Sequence, residues 1–70
     1  MRLFNALRGA LTAKGIEQKY LAELMDRGES YISHRFTGKK PWNQDEQYTL
    51  MDIISEPYEK LHFYFPKNGR

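Results

Sequence analysis

The chain has 70 residues, no cysteine and ten aromatic residues, a length that suffices for one domain with one small core and excludes both a disulfide framework and a thiolate metal site. No apolar run approaches the roughly 18 residues that span a membrane, and the N-terminus lacks the profile of a signal peptide, so the chain reads as cytoplasmic. The formal charge of +2 is unevenly spread: residues 1–40 carry eight Lys/Arg against four Asp/Glu, residues 41–70 three against five. A basic first part suits a polyanion, and an acidic remainder suits folding or self-association.

The patterning is helical nearly throughout. Leu3, Leu7 and Leu11 recur every four residues, with Phe4 and Ala10 beside them, which predicts a first amphipathic helix. Gly15 suits the left-handed residue that ends it, and Ile16 begins the next unit. Leu21, Ala22, Leu24 and Met25 give a second short apolar face, broken at Asp26-Arg27-Gly28. From Glu29 to about Thr37 only Ile32 and Phe36 offer an apolar stripe, the profile of a helix lying half out of the protein. Gly38-Lys39-Lys40-Pro41 reads as a loop. Asn43 with Glu46 three residues on has the form of a capping box, so a fourth helix is expected from Gln44 to Ser55, with Leu50, Met51 and Ile54 inward beside Tyr48 or Gln47. Pro57 opens a last short helix through Leu61 to Phe65, and Pro66 stops it. The reading is an all-α chain of five helices: one domain over residues 1–66 and a flexible tail over 67–70.

Gln18 to Gly38 is the segment that carries function. Two short helices crossing steeply need a small residue at their closest approach, met by Ala22, and apolar residues in the wedge, met by Leu21 and Ile32. The second helix then turns its polar face outward, sized for a major groove about 12 Å wide. Gln18, Leu21, Ala22, Ile32, Ser33 and Gly38 match in register the Q-x-x-L-A, turn, I-S and closing-glycine pattern, and on these residues the chain resembles the lambda-repressor-like, Cro/repressor-type helix-turn-helix family. Lys40-Pro41-Trp42 and Leu61-His62 with Tyr64-Phe65-Pro66 are similar to small phage and prophage regulators. Three positions depart from the pattern. Asp26 stands where the family usually has glycine, though it tolerates the left-handed conformation better than most residues. Arg27 replaces an apolar residue, and Glu17 replaces a Ser or Thr cap.

The resemblance implies a five-helix lambda-repressor-like DNA-binding domain with its helix-turn-helix at 18–38, a transcriptional regulator that reads duplex DNA with the helix from Glu29 to Thr37. Glu29, Ser30, Ser33 and His34 are then the candidates for base contacts. Glu29 has two readings: acceptor for a cytosine amine, or a carboxylate that favours its own helix N-terminus. Gln18, Arg27, Arg35, Thr37, Lys39 and Lys40 would meet phosphates, giving affinity and salt dependence without sequence information. Tyr31 could touch a thymine methyl or sugar, or cover the edge of the core.

Operators read by this family are two-fold symmetric, with half-sites about 34 Å apart, which implies a homodimer on DNA. Trp42, Tyr48, Tyr58, Phe63, Tyr64 and Phe65 supply core and dimer surface. Phe63 and Tyr64 cannot both share the inward face of the last helix with Leu61 and Phe65, so one or both are expected on an exposed apolar patch, and the two are the candidates for the dimer interface. His34 and His62 lack the companions of a metal site, and Ser30, Ser33 and His34 lack an oxyanion hole and a buried orienting acid. No cofactor, small-molecule ligand or enzymatic activity is expected. The competing reading is a protein-interaction module, an antirepressor or inhibitor on the same scaffold. Acidic Glu29, the modest net charge and the surplus of aromatics favour it.

Overall fold

A computed structural model describes residues 3–69. Within them the chain is all-helical: α1 (Asn5–Ala13), α2 (Gln18–Leu24), α3 (Glu29–Phe36), α4 (Gln44–Ile53) and α5 (Leu61–Tyr64), with 3₁₀ turns at Tyr58–Lys60 and Lys67–Gly69. Met1, Arg2 and Arg70, assigned from sequence to the domain's start and to the tail, lie outside the described residues. No helix among those described is long and apolar enough to cross a membrane.

The first four helices end in one way. The residues at Gly15, Asp26, Gly38 and Ser55 all take positive φ, between 56° and 82°. The next residue's N–H reaches back to the helix: Ile16 to the Leu11 carbonyl, Arg27 to Ala22, Lys39 to His34 and Glu56 to Met51, at 2.9–3.0 Å. Each left-handed residue donates in turn to Thr12, Glu23, Arg35 or Asp52 at 2.9–3.3 Å, so each end is a complete Schellman motif. Gly15 and Asp26 take the conformation expected of them. Ser55 does so without glycine's freedom, and it stops α4 at Ile53, two residues short of the expected end. At the other end of α4 the capping box is made in full. Asn43 Oδ1 accepts from the Glu46 N–H at 2.8 Å, and the Glu46 carboxylate accepts from the Asn43 N–H at 3.0 Å. Glu17, as expected, offers α2 no side-chain cap.

The core collects Leu7, Leu11, Leu21, Ala22, Ile32, Phe36, Trp42, Leu50, Met51, Ile54, Tyr64 and Phe65. Trp42 is its aromatic hub, edge-on to Phe36 at 5.2 Å, Phe65 at 6.1 Å and Phe4 at 6.4 Å between centroids. Such pairs add about 0.5–1.5 kcal/mol each beyond the area they bury. This hub draws the chain's two ends together, because Phe4 and Phe65 both belong to it. The Phe4 N–H donates to the Gly69 carbonyl at 2.8 Å, and the Gly69 N–H to Pro66 at 2.9 Å. Residues 67–69 are therefore a docked turn where sequence predicted a frayed tail. The pairing is through backbone, which composition does not reveal. The last helix also differs from the expected run over Pro57–Phe65: its first turn is 3₁₀, and only Leu61–Tyr64 is α.

Candidate nucleic-acid interface

Helices α2 and α3 pack through the residues that the pattern selected. Leu21 and Ile32 are fully buried and Ala22 nearly so. Asp26 at φ 56° and Gly28 in extended backbone at φ −76° turn the chain between them. With Ile32 and Phe36 inward, the opposite side of α3 lacks an apolar residue and faces out.

A step of about 100° per residue spreads Ser33, Thr37, Ser30 and His34, in that order, across an arc of about 100°. Ser30, His34 and Thr37 are exposed; Ser33, at the edge of the arc, is half-buried. Glu29 is exposed but lies about 40° beyond Ser33, toward the side of Phe36. The four residues predicted to contact bases thus share one broad face, with Ser33 and Ser30 inside it, His34 at one border and Glu29 at the other. Among the described residues Glu29 has neither an ion pair nor a side-chain hydrogen bond. Its place in the first turn of α3 is favourable to a carboxylate.

The other border of the arc is built by Tyr31 and its neighbours. The Tyr31 hydroxyl donates to the Glu46 carboxylate of α4. Its ring carries the Arg35 guanidinium at 3.9 Å and the Arg27 guanidinium at 5.1 Å from the centroid, both within cation–π range. Arg35 also pairs with Glu46 at 3.5 Å, and its side chain is only 15% exposed. Arg35 is therefore a tie between α3 and α4, which corrects its assignment to an open phosphate-contacting face. A residue four positions after Tyr31 falls on the same flank, and there α4 supplies a charge that local sequence does not show. Tyr31 itself takes the core-edge role of its two readings.

Glu46 is the one buried charged residue among those described, 6% exposed. Burial pushes its carboxyl up. Hydrogen bonds from Tyr31 and from the Asn43 backbone, together with the Arg35 charge, outweigh that and hold it below the ordinary 4.5. From sequence Glu46 is expected only in the capping box. Its second pair of partners, Tyr31 and Arg35 four residues apart on α3, was the available signal for its wider role.

Gln18, Arg27, Lys39 and Lys40 are all exposed. Gln18 is the first residue of α2 and borders an open hollow with Arg8, Thr12, Ile16 and Phe36. Lys39 and Lys40 leave the C-terminal end of α3, their N–H groups directed back at the His34 carbonyl. The Thr37 hydroxyl donates to that same carbonyl at 3.4 Å. Of the predicted phosphate contacts, Arg27 before α3 and Lys39 and Lys40 after it have no carboxylate partner among the described residues, and so flank the helix at its two ends. The candidate dimer residues separate: Phe63 is 65% exposed, whereas Tyr64 is 7% exposed and donates its hydroxyl to Glu56 at 2.6 Å. Tyr64 is a core residue, because the 3₁₀ turn before α5 shifts which side chain faces in.

No family model matches the chain, and no curated protein or solved structure matches it.

Proposed function

We propose that the chain is a lambda-repressor-like, Cro/repressor-type helix-turn-helix transcriptional regulator that binds duplex DNA in the major groove through α3. The observation that carries this reading is the outward arc of Ser30, Ser33, His34 and Thr37 on a helix whose other side is locked to α2 by Leu21, Ala22 and Ile32. The Ser30 and Ser33 hydroxyls and the His34 imidazole on a rigid, half-exposed helix suit base edges, and Gln18, Arg27, Thr37, Lys39 and Lys40 around them suit phosphates. Arg35 is withdrawn from that set. The exposure of Phe63 supports a homodimer on a two-fold symmetric operator that associates through the C-terminal end. Such a regulator works in the cytoplasm of a bacterium or phage-infected cell, with no cofactor and no catalytic step.

The test is selection of the protein against random duplex DNA at two salt concentrations. Enrichment of a two-fold symmetric site that disappears in Ser30→Ala/His34→Ala is the expected result. Salt-insensitive binding without sequence enrichment rejects the proposal. One observation favours the second reading, a protein-interaction module: Tyr20 and Leu24, one turn apart on α2, are 51% and 45% exposed. That reading predicts that Tyr20→Ser/Leu24→Ser abolishes capture of a protein partner and leaves any DNA binding unchanged.

A further inference from the structure

Arg27 is exposed, and among the described residues it has no carboxylate partner. Its guanidinium nevertheless has a seat, 5.1 Å from the centroid of the Tyr31 ring. That ring is held from two further directions. Arg35 stacks on it at 3.9 Å, and its hydroxyl donates to Glu46. Glu46 is fixed in turn by the two hydrogen bonds of the Asn43 capping box. A line of contacts therefore runs from the N-terminus of α4, through Tyr31, to a cation at the turn between α2 and α3. On the helical wheel Tyr31 lies about 60° from His34, on the side away from Ser33, so the stack borders the outward arc of α3.

An exposed arginine ordinarily samples many rotamers and loses that freedom when it binds a phosphate. Stacking on a fixed ring removes part of the loss before binding, which is how a positioned cation gains over a free one. Arg35 is paired with Glu46, whereas Arg27 makes no ion pair among the described residues, although Asp26 and Asp45 line the same hollow. We propose that Tyr31, braced by Glu46 and Arg35, is a positioning residue that holds Arg27 as a phosphate contact beside the base-reading arc. This inference rests on the reading of the chain as a duplex-DNA-binding protein.

The experiment is fluorescence anisotropy of the full chain with a labelled mixed-sequence duplex, titrated between 50 and 200 mM salt, for wild type, Arg27→Ala, Tyr31→Leu, Tyr31→Phe and Arg27→Ala/Tyr31→Leu. Losing one phosphate contact makes the slope of log affinity against log salt shallower by about 0.9, so the deficit of Arg27→Ala narrows about 3.5-fold over that range. Tyr31→Leu is expected to move the slope in the same direction, and the double variant to go no further than Arg27→Ala. Tyr31→Phe, which keeps the ring, is expected to retain more of the wild-type slope than Tyr31→Leu. A wild type that binds with an unchanged slope in Arg27→Ala overturns the inference and leaves the DNA reading standing. Fully additive effects in the double variant overturn it as well, since Tyr31 then acts only through the fold. A wild type with no salt-dependent binding overturns the DNA reading and this inference together. Arg27 is exposed and packs no core, so the Arg27→Ala arm decides even where Tyr31→Leu does not fold.

Discussion

The Arg8 guanidinium donates through Nη2 to the Phe36 carbonyl at 3.1 Å and so ties α1 to the C-terminal end of α3, 28 residues away. Its Nε donates to the Leu3 carbonyl at 2.8 Å, and its Cζ lies 4.8 Å from the centroid of the Phe36 ring. Arg8→Met keeps the apolar stem but leaves both carbonyls without this donor. The variant should lose about 2 kcal/mol of stability, in line with hydrogen bonds from a charged group. Urea unfolding followed by the fluorescence of Trp42, the single tryptophan, measures it. A loss below about 0.5 kcal/mol, the level of an ordinary surface substitution, would show that water replaces the arginine at no cost.

Stability should fall at both ends of the pH scale for separate reasons. The Glu46 carboxyl lies below its ordinary 4.5, so it contributes stability above that value and the contribution is lost as pH falls through its folded value. Tyr58 and Tyr64 are raised above 10.0, each chiefly because its hydroxyl donates to a carboxylate, Asp52 and Glu56 respectively. Their contribution is present below 10.0 and is lost as pH rises through their folded values. Denaturant midpoints measured from pH 3 to pH 11 should show a shallower acid limb in Glu46→Gln and a shallower alkaline limb in Tyr64→Phe. Parallel curves for wild type and variant would remove the residue concerned from the account.

Ser55 closes α4 at φ 58°, where an L-residue is strained. Ser55→Gly should stabilise the chain by about 0.5–1 kcal/mol, a rise of several degrees in melting temperature for a domain this size. Asp26→Gly, at φ 56°, should gain less, because aspartate tolerates that conformation better. Thermal melts of the two variants rank them directly; equal melting temperatures to wild type would mean that the serine hydroxyl compensates the strain.

Phe63 exposes 65% of its surface, and its ring meets Tyr64 edge-on at 5.0 Å. Phe63→Ser should leave the folded monomer within about 0.5 kcal/mol of wild type, as surface changes do. On the proposed dimer it should weaken cooperative occupation of a two-fold symmetric site while leaving half-site binding intact. Equal cooperativity in gel-shift titrations of both proteins would place the dimer contact elsewhere.

The parts of this fold that could be read from sequence are those whose cause is local. Leu7 and Leu11, Ile32 and Phe36, and Leu50 with Met51 and Ile54 are spaced by the helical repeat, and burial follows that spacing. Asn43 and Glu46 announce their box because both partners lie within four residues. What escaped is long-range. Arg35 reads as one more surface cation until α4 places Glu46 beside it. The docking of residues 67–69 depends on the Phe4 backbone, which no side-chain pattern encodes. The candidate site was accessible to the same degree: the outward arc follows from periodicity, whereas Tyr31 and Glu46 on its border are joined only by tertiary structure.

The hydrogen bond from Phe4 to Gly69 also bears on the order in which the molecule assembles. It closes a loop over nearly the whole described chain, the costliest closure in chain entropy that the fold contains. The α2–α3 pair and the α4 cap are built from near neighbours in sequence and can form before it. Phe65, whose ring meets Phe4 at 6.2 Å and Trp42 at 6.1 Å, belongs to the late closure. Phe65→Leu should accordingly speed unfolding far more than it slows folding, a division that a chevron plot resolves. A nascent chain would then hold its first helix unsealed until the segment around Phe65 has emerged.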